Sequence, residues 1–128
     1  MPADSPPLRF PRRSRIRQGR DFARLKSQGR RIAGACLIAN WQPVKAPGDS
    51  RVGVITSRKI GPAVTRNRAR RLLREAFRLH QHEFSAPVDL VLVARNGIVG
   101  KRFADVDRDF QRTLQRAGLL PPPPQPPA

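Results

Sequence analysis

Acidic residues are scarce in this 128-residue chain, with nine Asp and Glu against 26 Lys and Arg. Carboxylates so few and so scattered give no sign of the clustered acids that a metal-dependent protein nuclease requires. The alternating Asp105, Asp107 and Asp109 come nearest, but only Asp105 and Asp109 share a helix face, and an acidic start to a helix explains them more simply. His80 and His82 have only Glu83 beside them, which suits a solvated helix end better than an acid–base pair. The one cysteine, Cys36, can form no disulfide within the chain; it fits a reducing compartment and reads as a small core residue. Six Phe and one Trp supply all the aromatic bulk. No run approaches the roughly 20 apolar residues that cross a bilayer, so no membrane span is expected. Residues 1–17 lack the apolar block of a secretory signal, so the cytoplasm is the expected location. No Gly-rich nucleotide-binding loop is present.

What the chain does have is positive charge, a formal +17, almost all of it Arg. A charge that large on so small a body opposes compaction and calls for a polyanion, with nucleic acid first among candidates. Arg also engages phosphate in bidentate fashion and stacks on bases.

Composition divides the chain into an unfolded Pro- and Arg-containing leader (residues 1–11), one domain (12–118) and an extended Pro-rich tail (119–128). One small core is the most that a domain of this size can build. Within it, 21–28 reads as a short helix stopped by Gly29, with Phe22 and Leu25 on one side. Residues 35–41 and 51–57 read as strands around a loop at 43–50. In the second of these, Val52, Val54 and Thr56 share one face and Arg51, Gly53, Ile55 and Ser57 the other. The almost continuously apolar run 88–94 reads as a central strand. A final helix over 103–117 puts Phe103, Val106, Phe110, Leu114 and Ala117 on one stripe. The pattern is an α+β domain with helices covering a small sheet.

The segment from Pro62 to about His82 holds the chemistry. Pro62 suits the first helical position, and Ala69, Leu72, Leu73, Ala76 and Phe77 form a stripe that must face the sheet. Asn67, Arg71, Arg74 and Arg78 point away from that stripe, and Arg66, Arg68 and Arg70 flank it. Arg66, Arg70, Arg74 and Arg78 make successive i, i+4 like-charge pairs, each destabilising by roughly 0.2–0.5 kcal/mol. Glu75 is the only acid within the helix. A solvated helix mixes both signs, whereas phosphates would supply the negative charge missing here. Arg58 and Lys59 add cations beside the helix start, whose free N–H groups also suit phosphate. Asn67 fits a ribose or base-edge contact and a solvated or capping role equally well. Phe22, near Arg15, Arg17 and Arg20, is either a core residue, which composition favours, or a ring for base stacking. Trp41 carries the same two readings.

The stretch RVGVITSRKIGPAVTRNRARRLLREAFR, residues 51–78, resembles the protein component of bacterial ribonuclease P. The likeness lies in Ser57, Arg58, Lys59 and Gly61, then Arg66, Asn67, Arg68, Arg70, Arg71, Arg74, Glu75 and Phe77. Weaker likeness runs from about Arg12 to Ala117 and includes Arg15, Ile16, Asp21, Phe22, Gly29, Ala94 and Arg95. The resemblance implies a single domain of α-β-β-β-α-β-α order, a mixed sheet, and a left-handed βαβ crossover that general handedness rules would reject. It implies a non-catalytic subunit of an endoribonuclease whose RNA is the catalyst. Its partners would be ribonuclease P RNA and precursor tRNA, with no membrane and no required protein partner. No cofactor would bind the protein itself, and Mg²⁺ would serve the RNA-based reaction. RNA binding would fall to Arg58, Lys59, Arg66, Asn67, Arg68, Arg70, Arg71 and Arg74. A cleft for the 5′ leader of precursor tRNA would use Arg15, Phe22, Lys26, Ile38, Asn40 and Ser57, which reverses the core-only preference for Phe22. The family often has a second aromatic where this chain has Lys26, and Asn40 stands at the matching strand position with Trp41 beside it. A structural RNA-binding protein, such as a small ribosomal protein, is the alternative, and a DNA-packaging protein is a weaker third.

Overall fold

The computed structural model describes residues 15–16, 19–44 and 50–122. The expected leader, 1–11, and the part of the expected tail from 123 onward lie outside the described residues.

Helix α1 spans Gly19–Gln28, β1 Arg30–Ala33, β2 Leu37–Pro43, β3 Arg51–Ile55, α2 Ala63–His80, β4 Val88–Ala94 and α3 Phe103–Arg116, which is the α-β-β-β-α-β-α order. The sheet runs β1-β2-β4-β3. β1–β2 and β2–β4 are antiparallel, and β3–β4 are parallel neighbours joined through α2. β1 is the strand that residue patterning misses. Arg30 and Arg31 give it no apolar signature, and only Ile32 reaches the main core. α1 must turn sharply into it: the Gly29 N–H donates to the Leu25 carbonyl at 3.0 Å, and a Cβ at Gly29 would lie 2.8 Å from the Trp41 carbonyl oxygen.

Strand alternation sorts the sheet residues onto two faces. Leu37, Ala39 and Trp41 of β2, Val52 of β3, and Val88, Leu90, Leu92 and Ala94 of β4 meet α2 and α3 in the main core. From α2 come Ala69, Leu73, Ala76 and Phe77, and from α3 Val106, Phe110 and Leu114, the stripes that helical spacing gives. Phe77 and Phe110 are fully buried, and truncating either to Ala should cost about 3–5 kcal/mol. Among the described residues the opposite face carries α1 and the preceding Ile16, packed through Ile16, Leu25 and Val91 with Phe22 and Val93 half-buried at the margin. One short helix cannot cover four strands, and the uncovered part of this face is where a ligand can lie.

Several expectations need correction. The chain stays folded past residue 118: the Leu119 N–H donates to the Leu114 carbonyl at 2.9 Å, and Leu120 is buried in the core, so these two residues do not belong to the tail. Two of the α3 acids, Asp107 and Asp109, act as tertiary anchors, beyond any dipole role. Asp109 accepts from the Cys36 N–H at 2.8 Å and the Ala35 N–H at 3.2 Å, which fixes the turn between β1 and β2. Asp105 caps its own helix by accepting from the Arg102 N–H at 3.2 Å. His80 is no solvated end. Its ring lies against Phe110, 2.7 Å from Glu83 and 2.8 Å from Asp107, and ties α2 to α3.

Candidate nucleic-acid interface

α2 begins one residue later than expected. Pro62 caps the helix in an extended conformation, ψ 166°, because a 3-10 turn at Arg58–Ile60 and Gly61 at φ 142° re-aim the chain out of β3. Only a glycine adopts that φ without strain. Buried Ile60 pins the turn while Arg58 and Lys59 stay exposed, beside first-turn N–H groups that receive no side-chain cap.

Asn67, Arg70, Arg71, Arg74, Glu75 and Arg78 line an open groove of about 310 Å³ along the outer face of α2. Arg70 is fixed at both ends, donating to the Thr56 hydroxyl at 2.6 Å and to the Asn67 carbonyl oxygen at 2.7 Å. The side-chain oxygen of Asn67 is thereby engaged in aiming Arg70. Arg78 donates through Nε to Glu75 at 3.0 Å, and this hydrogen bond, with the charge behind it, holds the Glu75 carboxyl below its ordinary range. The helix's one acid is thus taken up by Arg78, and Arg71 and Arg74 stand exposed without such neutralisation among the described residues. Burial, then the charges of Arg15 and Arg70, lower the Arg74 guanidinium from its usual value while leaving it charged. On the other flank Arg68 donates to the Lys101 carbonyl at 2.8 Å, and the half-buried Arg66 has an Nε without a partner among the described residues.

The second site lies on the opposite sheet face. A cleft of about 510 Å³ is lined by Phe22, Ala23, Lys26, Arg31, Ile38, Asn40, Ile55, Val91 and Val93. Strand register explains the grouping: Ile38 pairs with Val93 and Val93 with Ile55, while Arg31 pairs with Asn40, Asn40 with Val91 and Val91 with Gly53. Two rows therefore cross the sheet side by side, one wholly apolar and one with polar members. Phe22 closes the end of the second row, and a Cβ at Gly53 would come within 2.6 Å of its ring. The absence of a side chain there lets the aromatic lie on the sheet.

Four of the six residues assigned to a cleft from the sequence, Phe22, Lys26, Ile38 and Asn40, come together here. Arg15 and Ser57 do not line it. Arg15 is exposed on the outer edge of β3, where the Ile16 N–H donates to the Val52 carbonyl at 2.8 Å, and its charge acts on Arg74. Ser57 is exposed at the start of the 3-10 turn. Trp41 faces the main core and contributes nothing to the cleft. Sequence reasoning missed Arg31, because its strand has no apolar pattern, and Val91 and Val93, because a continuous apolar run does not show which residues face which way. Ile55 was legible from its alternation with Gly53.

A partly buried ion cluster around Asp89 holds α1 over this face. Asp89 accepts from Arg51 Nε at 2.9 Å and from a second Arg51 nitrogen at 2.7 Å, and from Arg24 of α1 at 2.9 Å. Burial, the largest single influence, pushes the Asp89 carboxyl up, but the hydrogen bonds and charges of the two guanidinium groups together outweigh it and leave the group below its ordinary value. Among the described residues no three potential ligands are placed to hold a metal ion.

The family model for ribonuclease P matches residues 10–118. The ribonuclease P protein component of Gluconacetobacter diazotrophicus is 37% identical over 109 residues, covering 84% of this chain and 94% of the relative. That of Syntrophomonas wolfei is also 37% identical over 109 residues, covering 85% and 91%. Among solved structures, the RNase P protein of Staphylococcus aureus superposes with a TM-score of 0.77 at 25% identity, over 84% of this chain and 97% of the other. The RNase P protein of Thermotoga maritima gives 0.72 at 25% identity, over 80% and 96%. With sequence, element order and sheet in agreement over nearly the full length of these relatives, the chain belongs to the ribonuclease P protein family.

Proposed function

We propose that this chain is the protein subunit of a ribonuclease P holoenzyme, in which an RNA subunit performs endonucleolytic removal of the 5′ leader from precursor tRNA. The α2 surface, with Arg58, Lys59, Arg66, Arg68, Arg70, Arg71 and Arg74, binds phosphates of the catalytic RNA. The cleft between α1 and the sheet takes the leader, with the Phe22 ring and aliphatic side chains against its bases and Lys26 and Arg31 toward its phosphates. Mg²⁺ serves the RNA-based hydrolysis, and the protein's residues bind and orient.

The observation that carries this reading is the presence of two unlike surfaces on opposite sides of one sheet: a helix whose exposed cations lack internal counter-charges, and an apolar-floored cleft rimmed by cations. A protein that only coats RNA needs the first and has no use for the second.

The test adds the purified chain to its cognate catalytic RNA and measures precursor tRNA cleavage at low Mg²⁺. Strong stimulation is expected. Binding without stimulation would reduce the protein to a structural RNA-binding role, and equal affinity for duplex DNA and folded RNA would point to a packaging protein.

A further inference from the structure

We infer that the outer face of α3 is a second attachment surface for the phosphodiester backbone of the catalytic RNA, an inference that rests on the proposal that α2 binds that RNA. Arg108, Arg112 and Arg116 stand at i, i+4 and i+8 on α3, all exposed, on the side away from the buried Val106, Phe110 and Leu114. The helix has acids at the right spacing to balance them: Asp105 lies three residues before Arg108, and Asp109 three before Arg112. Those carboxylates are turned elsewhere. Asp105 accepts from the Arg102 N–H at 3.2 Å, and Asp109 from the Ala35 and Cys36 N–H groups at 3.2 and 2.8 Å. Asp107 accepts from Gln111 at 2.9 Å and lies 2.8 Å from His80. Arg108 and Arg112 are left with no ion pair or hydrogen bond to any described residue. The helix dipole favours a cation in the last turn and so accounts for Arg116. It does nothing for Arg108 in the middle of the helix, and the successive like-charge pairs oppose the helix unless a polyanion relieves them.

The ground beside this stripe suits a polymer that needs donors. Arg112, Gln115 and Arg116 wall a cavity of about 560 Å³ whose floor is the turn of small residues Ala33, Gly34 and Ala35. Arg116 donates to the Ala33 carbonyl at 3.0 Å and Arg95 to the Gly34 carbonyl at 2.7 Å, so two guanidinium groups are fixed at this turn. Each has further N–H groups to offer, in the planar fork that fits phosphate oxygens. Asp109 also lines the cavity, but both its oxygens are turned to the backbone of the turn. Position selects the partner. α3 packs with α2 on one face of the sheet, while the cleft proposed for the leader lies on the other. The polyanion that lies on α2 is therefore the one within reach of α3, and a second copy of the chain, with a formal charge of +17, is repelled.

The experiment titrates the catalytic RNA, without substrate, across a salt series with the full chain and with Arg108→Gln, Arg112→Gln and the pair together. Arg20→Gln serves as the control, since it removes the same charge from an exposed position on α1, across the sheet. Arg116 is left in place because its bond to Ala33 serves the fold. Each α3 substitution should lower the log–log slope by about one and the pair by about two, while Arg20→Gln changes it by well under one. Urea midpoints should be unchanged, since neither Arg108 nor Arg112 touches a described residue through its charge. If the α3 variants keep the natural slope while Arg71→Ala lowers it, the inference falls alone. If Arg71→Ala also keeps it, the proposal for α2 falls and the inference with it. Equal losses for Arg20→Gln and the α3 variants would reduce the effect to net charge and overturn the inference. So would a loss seen only when precursor tRNA is present, which would make the substrate the partner, or a change confined to self-association in sedimentation, which would make it a second copy.

Discussion

Asp89 shows what a single residue contributes beyond the apolar packing of a small fold. Its carboxylate joins α1 to two strands through Arg24 and Arg51, and its depressed pKa makes that contribution depend on pH. Because the folded-state value lies below the unfolded one, the stabilisation is fully present above the ordinary carboxylate range, near pH 4, and is lost as pH falls through the lower folded value. Replacing Asp89 by Asn should cost about 1–3 kcal/mol at neutral pH, since charge-assisted hydrogen bonds are lost while both arginines, more than a third exposed, recover water. Urea midpoints followed from pH 7 downward should converge for the natural protein and the Asp89→Asn variant below about pH 4; a constant gap would place the cost elsewhere. The sequence shows Asp89 as an odd polar residue in an apolar run but not its partners, which lie 65 and 38 positions away. His80 is opaque for the same reason, since Asp107 is distant in sequence and adjacent in space.

Among the elements, α2 is the most legible. Its apolar stripe and cationic remainder follow from 3.6-residue periodicity; its start shifts by one residue, because the preceding 3-10 turn decides where the cap falls, and it ends at His80, short of the expected His82. Its arginines are nevertheless unequal in a way that spacing does not reveal. Arg78 is neutralised by Glu75, and Arg71 and Arg74 are not. In titrations of the catalytic RNA across a salt series, Arg71→Ala or Arg74→Ala should each lower the log–log slope by about one, whereas Arg78→Ala should change it by well under one. Equal slopes for all three would mean that the Glu75 pair opens on binding. β1 lies at the other extreme of legibility: two arginines and a half-buried Ile form a strand only because β2 offers an edge, a tertiary cause that local pattern does not encode.

For the molecule as a whole, the family likeness supplies the element order, while the sheet order β1-β2-β4-β3 and the two-row register could not come from residue patterning, because pairings between distant segments leave no local trace. With the α2 surface and the cleft on opposite sides of the sheet and no shared side chains, their contributions should be independent. Phe22→Ala should weaken leader-dependent binding by about 1–3 kcal/mol per stacked base without altering affinity for the catalytic RNA alone. Combining it with Arg71→Ala should give additive losses, checked by a double-mutant cycle; coupling would show that the two surfaces communicate through the sheet. The Arg15–Val52 bridge bears on self-association. An open-ended sheet invites a neighbouring molecule to add its own strand, yet along β3 the chain's earlier residues already occupy a rung of that ladder, and along β1 exposed arginines repel a like-charged copy. Both margins of the sheet thus carry a hindrance to edge-to-edge pairing between copies of this chain.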